Sequence, residues 1–250
     1  MEVFNITLPT NWAELTDKQL HMVYNLFARD LSAAEVKTLC LMKWNGLKVL
    51  SQLPDKRFLI KRGKEVVPLS TRQIQQATSV LDYLDSFAPM PVRIARIGKY
   101  RALPADFEKV PFEEFLFVEN LFQGYLNTQS DELLLQMAQV LYASDHVKPD
   151  KAQLIGIFYW MASLKQYFAG LFPNFYKPAS SNSGGNLLGS GQPDVYRQLR
   201  ESTNAMIRAL TGGDITKEAA IMKMDTWRAL TELDAKAREV EELRKVTKKP

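Results

Sequence analysis

With two histidines and one cysteine in 250 residues, the chain has little of the material from which metal centres and nucleophilic sites are built. Neither His21 nor His146 has a cysteine, histidine or carboxylate at ligand spacing except Asp145, which adjoins His146, and adjacent residues do not share a helix face. No HExxH, CxxC, P-loop, GxSxG or GxGxxG pattern occurs, so hydrolase, phosphotransferase and dehydrogenase readings have no support. The expectation is a protein that is not an enzyme, with no catalytic, cofactor-binding or metal-binding residue and no cofactor. Cys40 lies in the apolar helical pattern VKTLCLMKW, can form no intrachain disulfide, and is expected to act as a small buried hydrophobe in a reducing, cytoplasmic setting.

Long apolar runs are also missing. Leu154 to Leu164 is apolar apart from Ser163, but Lys165 and Gln166 break it well short of the ~20 residues a spanning helix needs. The opening MEVFNITLPTNW has no basic stretch followed by an apolar one, so no secretory signal is expected, and the chain reads as soluble with no membrane partner. Charge of a single sign is scarce too. Lys and Arg number 32 against 28 Asp and Glu, and a net charge of +4 is far too mild for a protein that coats nucleic acid. The carboxylate pairs Glu113 with Glu114 and Asp131 with Glu132, and the group Glu239, Glu241 and Glu242, fall in first helical turns or on polar faces, where acids favour the helix dipole or stay hydrated.

What is present is a core. Hydrophobic residues make up 46% of the chain and aromatics 10%, enough to bury a sizeable interior. The richest stretch, Pro111 to Tyr176, carries three successive helical patterns separated by turn signals. Before it, Leu20, Val23, Tyr24 and Phe27 recur at helical spacing. Ser32 with Glu35 forms a capping box ahead of AEVKTLCLMKW, which Gly46 ends. RFLIKRGKEVVPLS then places two β-type runs on either side of a Gly63 turn, and PMPVRIARIGKYRALP repeats that form around Gly98, with a helix capped by Ser70 or Thr71 between them. Glu2 to Leu8 is expected as a short strand.

The sequence therefore predicts a mainly α protein. Residues 1–176 form a multi-helix core with a small β insertion of two short hairpins at about 56–104. A flexible linker follows at 177–193, rich in Ser, Gly, Asn and Pro, and then a C-terminal helical pair at 194–250. In the last helix, Ile221, Met224, Trp227, Leu230 and Leu233 are spaced by three, so the stripe drifts by about 60° per step and must meet more than one neighbour.

Two groups of residues stand out as binding candidates. FPNFYKP ahead of the linker has more aromatics than a helix end needs, which nominates Phe172, Phe175 and Tyr176, with Trp227 of the drifting helix, for contact with a protein partner. The two hairpins carry a basic patch, Arg62 and Lys64 on the first and Arg93, Arg96, Lys99 and Arg101 on the second, which suits either an acidic protein surface or a phosphate backbone.

Three stretches carry a resemblance: LPTNWAELTDKQLHMVYNLFA, VPFEEFLFVENLFQGYLNTQSDELLLQMAQVLY and DITKEAAIMKMDTWRALTELDAKARE. Together they resemble uncharacterised proteins of the structural clusters of tailed phages and prophages of gut bacteria, and the last is similar to tail-assembly chaperones. The resemblance implies a non-enzymatic assembly or structural role in the host cytoplasm or with the virion. The implied partner is another phage structural or tail protein, such as a tape measure; the alternative is a nucleic-acid-binding accessory protein that uses the basic hairpins.

Overall fold

Thr16, Ser32 and Ser70 each start a helix in the same way: the hydroxyl accepts from the backbone N–H three residues on, and that residue's Gln or Glu side chain accepts from the cap's own N–H. These caps open α1 (Asp17–Phe27), α2 (Ala33–Trp44) and α3 (Thr71–Thr78). The computed structural model describes residues 5–177 and 195–247. Its remaining helices are α4 (Phe112–Thr128), α5 (Asp131–Leu141), α6 (Lys151–Leu171), α7 (Val195–Thr211), α8 (Glu218–Met222) and α9 (Thr226–Thr247). The protein is mainly α, as its periodicity predicts, with two small antiparallel β pieces and helices after the expected linker. Residues 178–193 of that linker lie outside the described residues. No helix among the described residues is long and apolar enough to cross a membrane.

The strands depart from expectation in two respects. β2 (Phe58–Arg62) and β3 (Glu65–Leu69) form the expected hairpin, and β4 (Arg96–Ile97) and β5 (Tyr100–Arg101) the second, but β1 (Lys48–Gln52) adds an edge strand to the first. Gly46, at a φ of 62° that L-residues rarely adopt, turns the chain out of α2, Leu47 is buried, and the strand that follows pairs antiparallel with β2. The sheet therefore starts before residue 56. Of the expected strand Glu2 to Leu8, residues 2–4 lie outside the described set and 5–8 are not extended in a sheet, although Ile6 and Leu8 pack on core residues.

The described chain packs into two compact units. The first comprises the described residues up to Ala88, Val92–Ala95 and Pro149–Tyr159; the second comprises Pro89–Pro91, Arg96–Lys148 and the described residues from Trp160 on. Residues of the expected 1–176 core thus contribute to both, and the C-terminal helices join the second.

In the first unit Trp12 is the hub. Its ring stacks on Tyr24 at 6.3 Å and meets Tyr83 edge-on at 6.0 Å, and its indole N–H donates to the carbonyls of Tyr83 and Ser86 at 2.9 and 3.1 Å. Lys37 ties α2 to the 3-10 turn Ser79–Asp85 through Asp82 and Asp85, both at 2.7 Å. The sheet packs its Ile60 against Leu41 and Leu47 of the α2 end, with Phe58, Leu69 and Ile74 around them.

Gly156 of α6 allows a close approach in this core: a β-carbon there would stand 2.8 and 2.9 Å from Cδ2 and Cε2 of Tyr24. Tyr24 is fully buried against Trp12, Phe27 and Tyr159 and has little room to yield. Gly156→Ala is therefore expected to destabilise the protein by up to about 2 kcal/mol, since an overpacking cost of ~1–3 kcal/mol is set against the ~1 kcal/mol gained in helix propensity. Denaturant midpoints check this, and an unchanged or higher midpoint would show that the ring can move.

In the second unit α4 and α5 form a helical hairpin whose turn places Gln129 at a φ of 55°. Phe107, Phe115 and Trp160 form its aromatic centre, with Phe107 at 6.1 Å from each of the other two rings and Phe168 at 5.8 Å from Phe115. Gly212 and Gly213, at φ of 65° and 87°, end α7. The last helical stretch is broken: α8 stops at Met222, Asp225 pairs with Pro111 in an isolated antiparallel bridge, and Phe112 N–H and Thr226 N–H bond to Met224 and Val110 at 2.8 and 2.9 Å. The spacing of three from Ile221 through Met224 to Trp227 crosses this break, so no continuous helix carries it.

Candidate functional site

The outer face of the three-stranded sheet follows from its register. Directly opposed residues share a face, so Val49–Ile60–Val67 form one row and Lys48–Lys61–Val66 another on the opposite side, which also carries Ser51, Leu59 and Pro68. Ile60 and Val67 are buried, so the second row faces outward. Leu50 sits unpaired at an irregularity between Val49 and Ser51, and every residue of β1 is exposed. The result is an open edge and face with apolar side chains in water: Val49, Leu50 and Val66 are 55%, 51% and 38% exposed. Lys48 stands opposite Lys61, a like-charge pairing that disfavours the sheet, and among the described residues neither has an ion-pair partner; nor do Lys56 and Lys64. The strand β1 eluded sequence reasoning. Its only signal is Val49 and Leu50 just beyond the Gly46 turn, a run too short to show alternation.

The basic candidates do not all stand free. Arg62 is opposite Glu65 and donates to the carbonyl of Asn5, at the mouth of a surface depression of about 540 Å³ that Lys64 also lines. Arg62, Lys64 and Arg93 belong to the first unit, whereas Arg96, Lys99 and Arg101 belong to the second. Arg96, Lys99 and Arg101 are exposed, with the Lys99 ammonium 5.4 Å from the Tyr100 ring centre.

The aromatic candidates are drawn into internal packing. Phe172 is buried, 5.7 Å from the Phe168 ring and 6.1 Å from Trp227. Half-buried Trp227 also meets Tyr167 and Phe168, and its indole N–H donates to the Asp106 carbonyl at 2.8 Å. Phe175 and Tyr176 contact each other at 4.9 Å and are half-buried, and burial raises the Tyr176 phenol above its ordinary range.

Asp234 of α9 secures this end by accepting from the backbone N–H of Asn174 and Phe175 at 2.7 and 3.0 Å and from the Asn174 amide at 2.9 Å. Burial works against its charge, but the Asn174 side chain and the two N–H groups outweigh that and hold the carboxyl below its usual range. A carboxyl held low contributes stability above its unfolded pKa and loses it as pH falls through the folded value. Amide exchange at Asn174 and Phe175 should therefore accelerate as pH drops below the ordinary carboxylate range, beyond the intrinsic trend; protection indifferent to pH would count against this anchoring.

Two open grooves flank the exposed Phe117 of α4. One, of about 570 Å³, is lined by Glu114, Glu132, Val140, Ala143 and Asp145 among others; the second, of about 380 Å³, includes Glu113, Asn120 and Met222.

His21 bonds at 2.7 Å to Asp150, which caps α6 by accepting from Gln153 N–H at 2.9 Å. Among the described residues no cluster of His, Cys, Asp or Glu is placed to hold a metal ion. Burial pushes the Cys40 thiol up to about 12, so thiolate is scarce at neutral pH. Cys40 in the folded protein is expected to resist a thiol-specific reagent at pH 8 and to react only on unfolding; prompt stoichiometric labelling of the native chain would overturn this. Comparison of the chain with family models, with curated proteins and with solved structures returns no match.

Proposed function

We propose that the chain is a non-enzymatic assembly protein of the tailed-phage structural type, which holds another structural or tail protein in the host cytoplasm through protein–protein contact. The observation that carries this reading is the open edge of the sheet, where β1 leaves Val49 and Leu50 about half exposed, together with the outward row that exposes Val66. An exposed edge with apolar side chains is a template for an added strand or an aggregation-prone segment, which is what an assembly chaperone must accommodate. The resemblance of the 214–239 stretch to tail-assembly chaperones supports the same reading and names a tape-measure-type protein as the partner to try.

Co-expression of such a protein with the chain tests it: the soluble fraction of the partner should rise, and Leu50→Asp with Val66→Asp should remove the effect while leaving the chain folded. A partner equally soluble with the parent, the double variant or neither would sink the reading.

One observation favours a second reading. Lys48 and Lys61 stand opposed with no carboxylate partner among the described residues, and Lys64 lies nearby, which also suits a phosphate backbone. Filter retention of DNA or RNA that falls with salt and is lost in Lys48→Glu with Lys61→Glu would support nucleic-acid binding; no retention at low ionic strength would dismiss it.

A further inference from the structure

The α4–α5 groove and the far end of α9 are complementary in both charge and apolar content. The groove is rimmed by Glu114, Glu132 and Asp145, with Phe117, 53% exposed, and Val140 and Ala143 as its apolar surface. Among the described residues none of these three carboxylates, nor the neighbouring Glu113, has an ion-pair partner. Burial, and then the charge of Glu113, raise the pKa of Glu114, as expected of a carboxylate with no cation beside it.

The final turn of α9, beyond Glu241 and Glu242, has the opposite character. Val240, Leu243 and Val246 recur at spacings of three and are 48%, 68% and 73% exposed. Leu243–Thr247 contains no acid, while Arg244 and Lys245 are exposed and the sequence continues with Lys248 and Lys249. Among the described residues Lys245 pairs with Glu241 at 3.3 Å on the surface, a pairing weak enough to exchange.

Within one copy the two features are not packed together, since Phe117 stands 53% exposed and Leu243 and Val246 68% and 73%. Asp225, just before α9, is paired with Pro111, just before α4, so α9 sets out beside the turns of α4 that line the groove. Leu243 lies 17 residues beyond Thr226, and at ~1.5 Å per residue the straight helix carries it about 25 Å from that point, whereas Phe117 is only ~9 Å along α4 from Pro111.

We propose that the basic, apolar tip of α9 from a second copy of this chain docks in the acidic α4–α5 groove, a head-to-tail contact between copies. Leu243 and Val246 cover Phe117 and Val140, and Arg244 and Lys245 answer Glu114, Glu132 and Asp145, in the helix-in-groove mode. Because each copy offers one groove and one tip, the contact is heterologous and continues into rings or open chains. It is separate from the sheet face proposed for partner binding and stands or falls without it.

The test is the weight-average mass of the full chain by analytical ultracentrifugation over a range of concentrations. The mass is expected to rise from one chain toward two and beyond, and the rise to shrink as salt increases from about 0.05 to 0.5 M and the screening length shortens. One variant reverses the groove, Glu114→Lys with Glu132→Lys; another reverses the tip, Arg244→Glu with Lys245→Glu. Each alone should stay at the mass of one chain, with circular dichroism confirming the fold. Mixed in equal amounts they should associate again, because each then offers what the other needs. A parent chain that remains a monomer at every concentration, variants that associate as the parent does, or a mixture that fails to restore association would each overturn the proposal. Loss in the groove variant alone would also overturn it, by showing that something other than the α9 tip fills the groove.

Discussion

Trp160→Ala is expected to cost about 3–5 kcal/mol, the range for truncating a large buried aromatic side chain. The ring is 1% exposed and lies 6.1 Å from that of Phe107 in a T-shaped contact, and its indole N–H donates to the Ala105 carbonyl at 2.7 Å. Removing it opens a cavity beside residues that are themselves almost fully buried, Phe107, Phe115 and Phe168, so the surroundings have little freedom to collapse into the space. Trp160→Phe should be much milder, because it keeps most of the apolar volume and loses chiefly the hydrogen bond, worth ~0.5–1.5 kcal/mol, together with a smaller void. Urea titrations followed by near-ultraviolet circular dichroism measure both. The telling readout is local: amide protection in α4 should fall in Trp160→Ala. A variant within ~0.5 kcal/mol of the parent would mean that this ring does not organise the unit's centre.

Much of the helical architecture is legible in the sequence, because the signals that start and stop these helices are local. The Ser32–Glu35 box is reciprocal side-chain bonding across three residues, and Gly212 with Gly213 supplies the left-handed backbone that stops α7. What evades the sequence depends on distant partners. The strand β1 exists because Val49 and Ser51 find Ile60 and Leu59 across a loop, a pairing that five exposed residues do not announce. The break before α9 exists because Asp225 pairs with Pro111 more than a hundred positions earlier, and periodicity alone reads straight through it.

The candidate sites divide along the same line. The basic residues of the hairpins can be picked out by type, but their allotment to two units depends on packing. The aromatic residues of FPNFYKP look surplus to a helix end only until α9 is known to return, packing Trp227 on Phe172 and holding the Phe175 backbone through Asp234. Glu114 and Glu132 of the α4–α5 groove read as ordinary first-turn acids, since nothing in sequence tells that Phe117 stands exposed between them.

Trp227 separates those two kinds of role most directly, since its exposure-free reading as a partner contact and its observed place in the unit's packing predict opposite results. Its ring contacts Tyr167, Phe168 and Phe172 at 6.0, 5.8 and 6.1 Å, and its N–H holds the Asp106 carbonyl. Three edge-on aromatic contacts and a hydrogen bond across 121 positions join the start of α9 to α6, to Phe172 just beyond it and to the loop before α4. Trp227→Ala is thus expected to cost about 3 kcal/mol, near the lower end for this truncation because the side chain is only half-buried. Trp227→Phe should lose ~1 kcal/mol by keeping the ring contacts and giving up the N–H. A residue kept for a partner would behave differently, leaving the free protein's stability unchanged on truncation while weakening the complex. Thermal and urea unfolding of the free chain decide between them, with exchange at Asn174 and Phe175 as a second readout, because the Asp234 anchor rides on the same helix. Full stability in Trp227→Ala, with those amides still protected, would return Trp227 to the surface role.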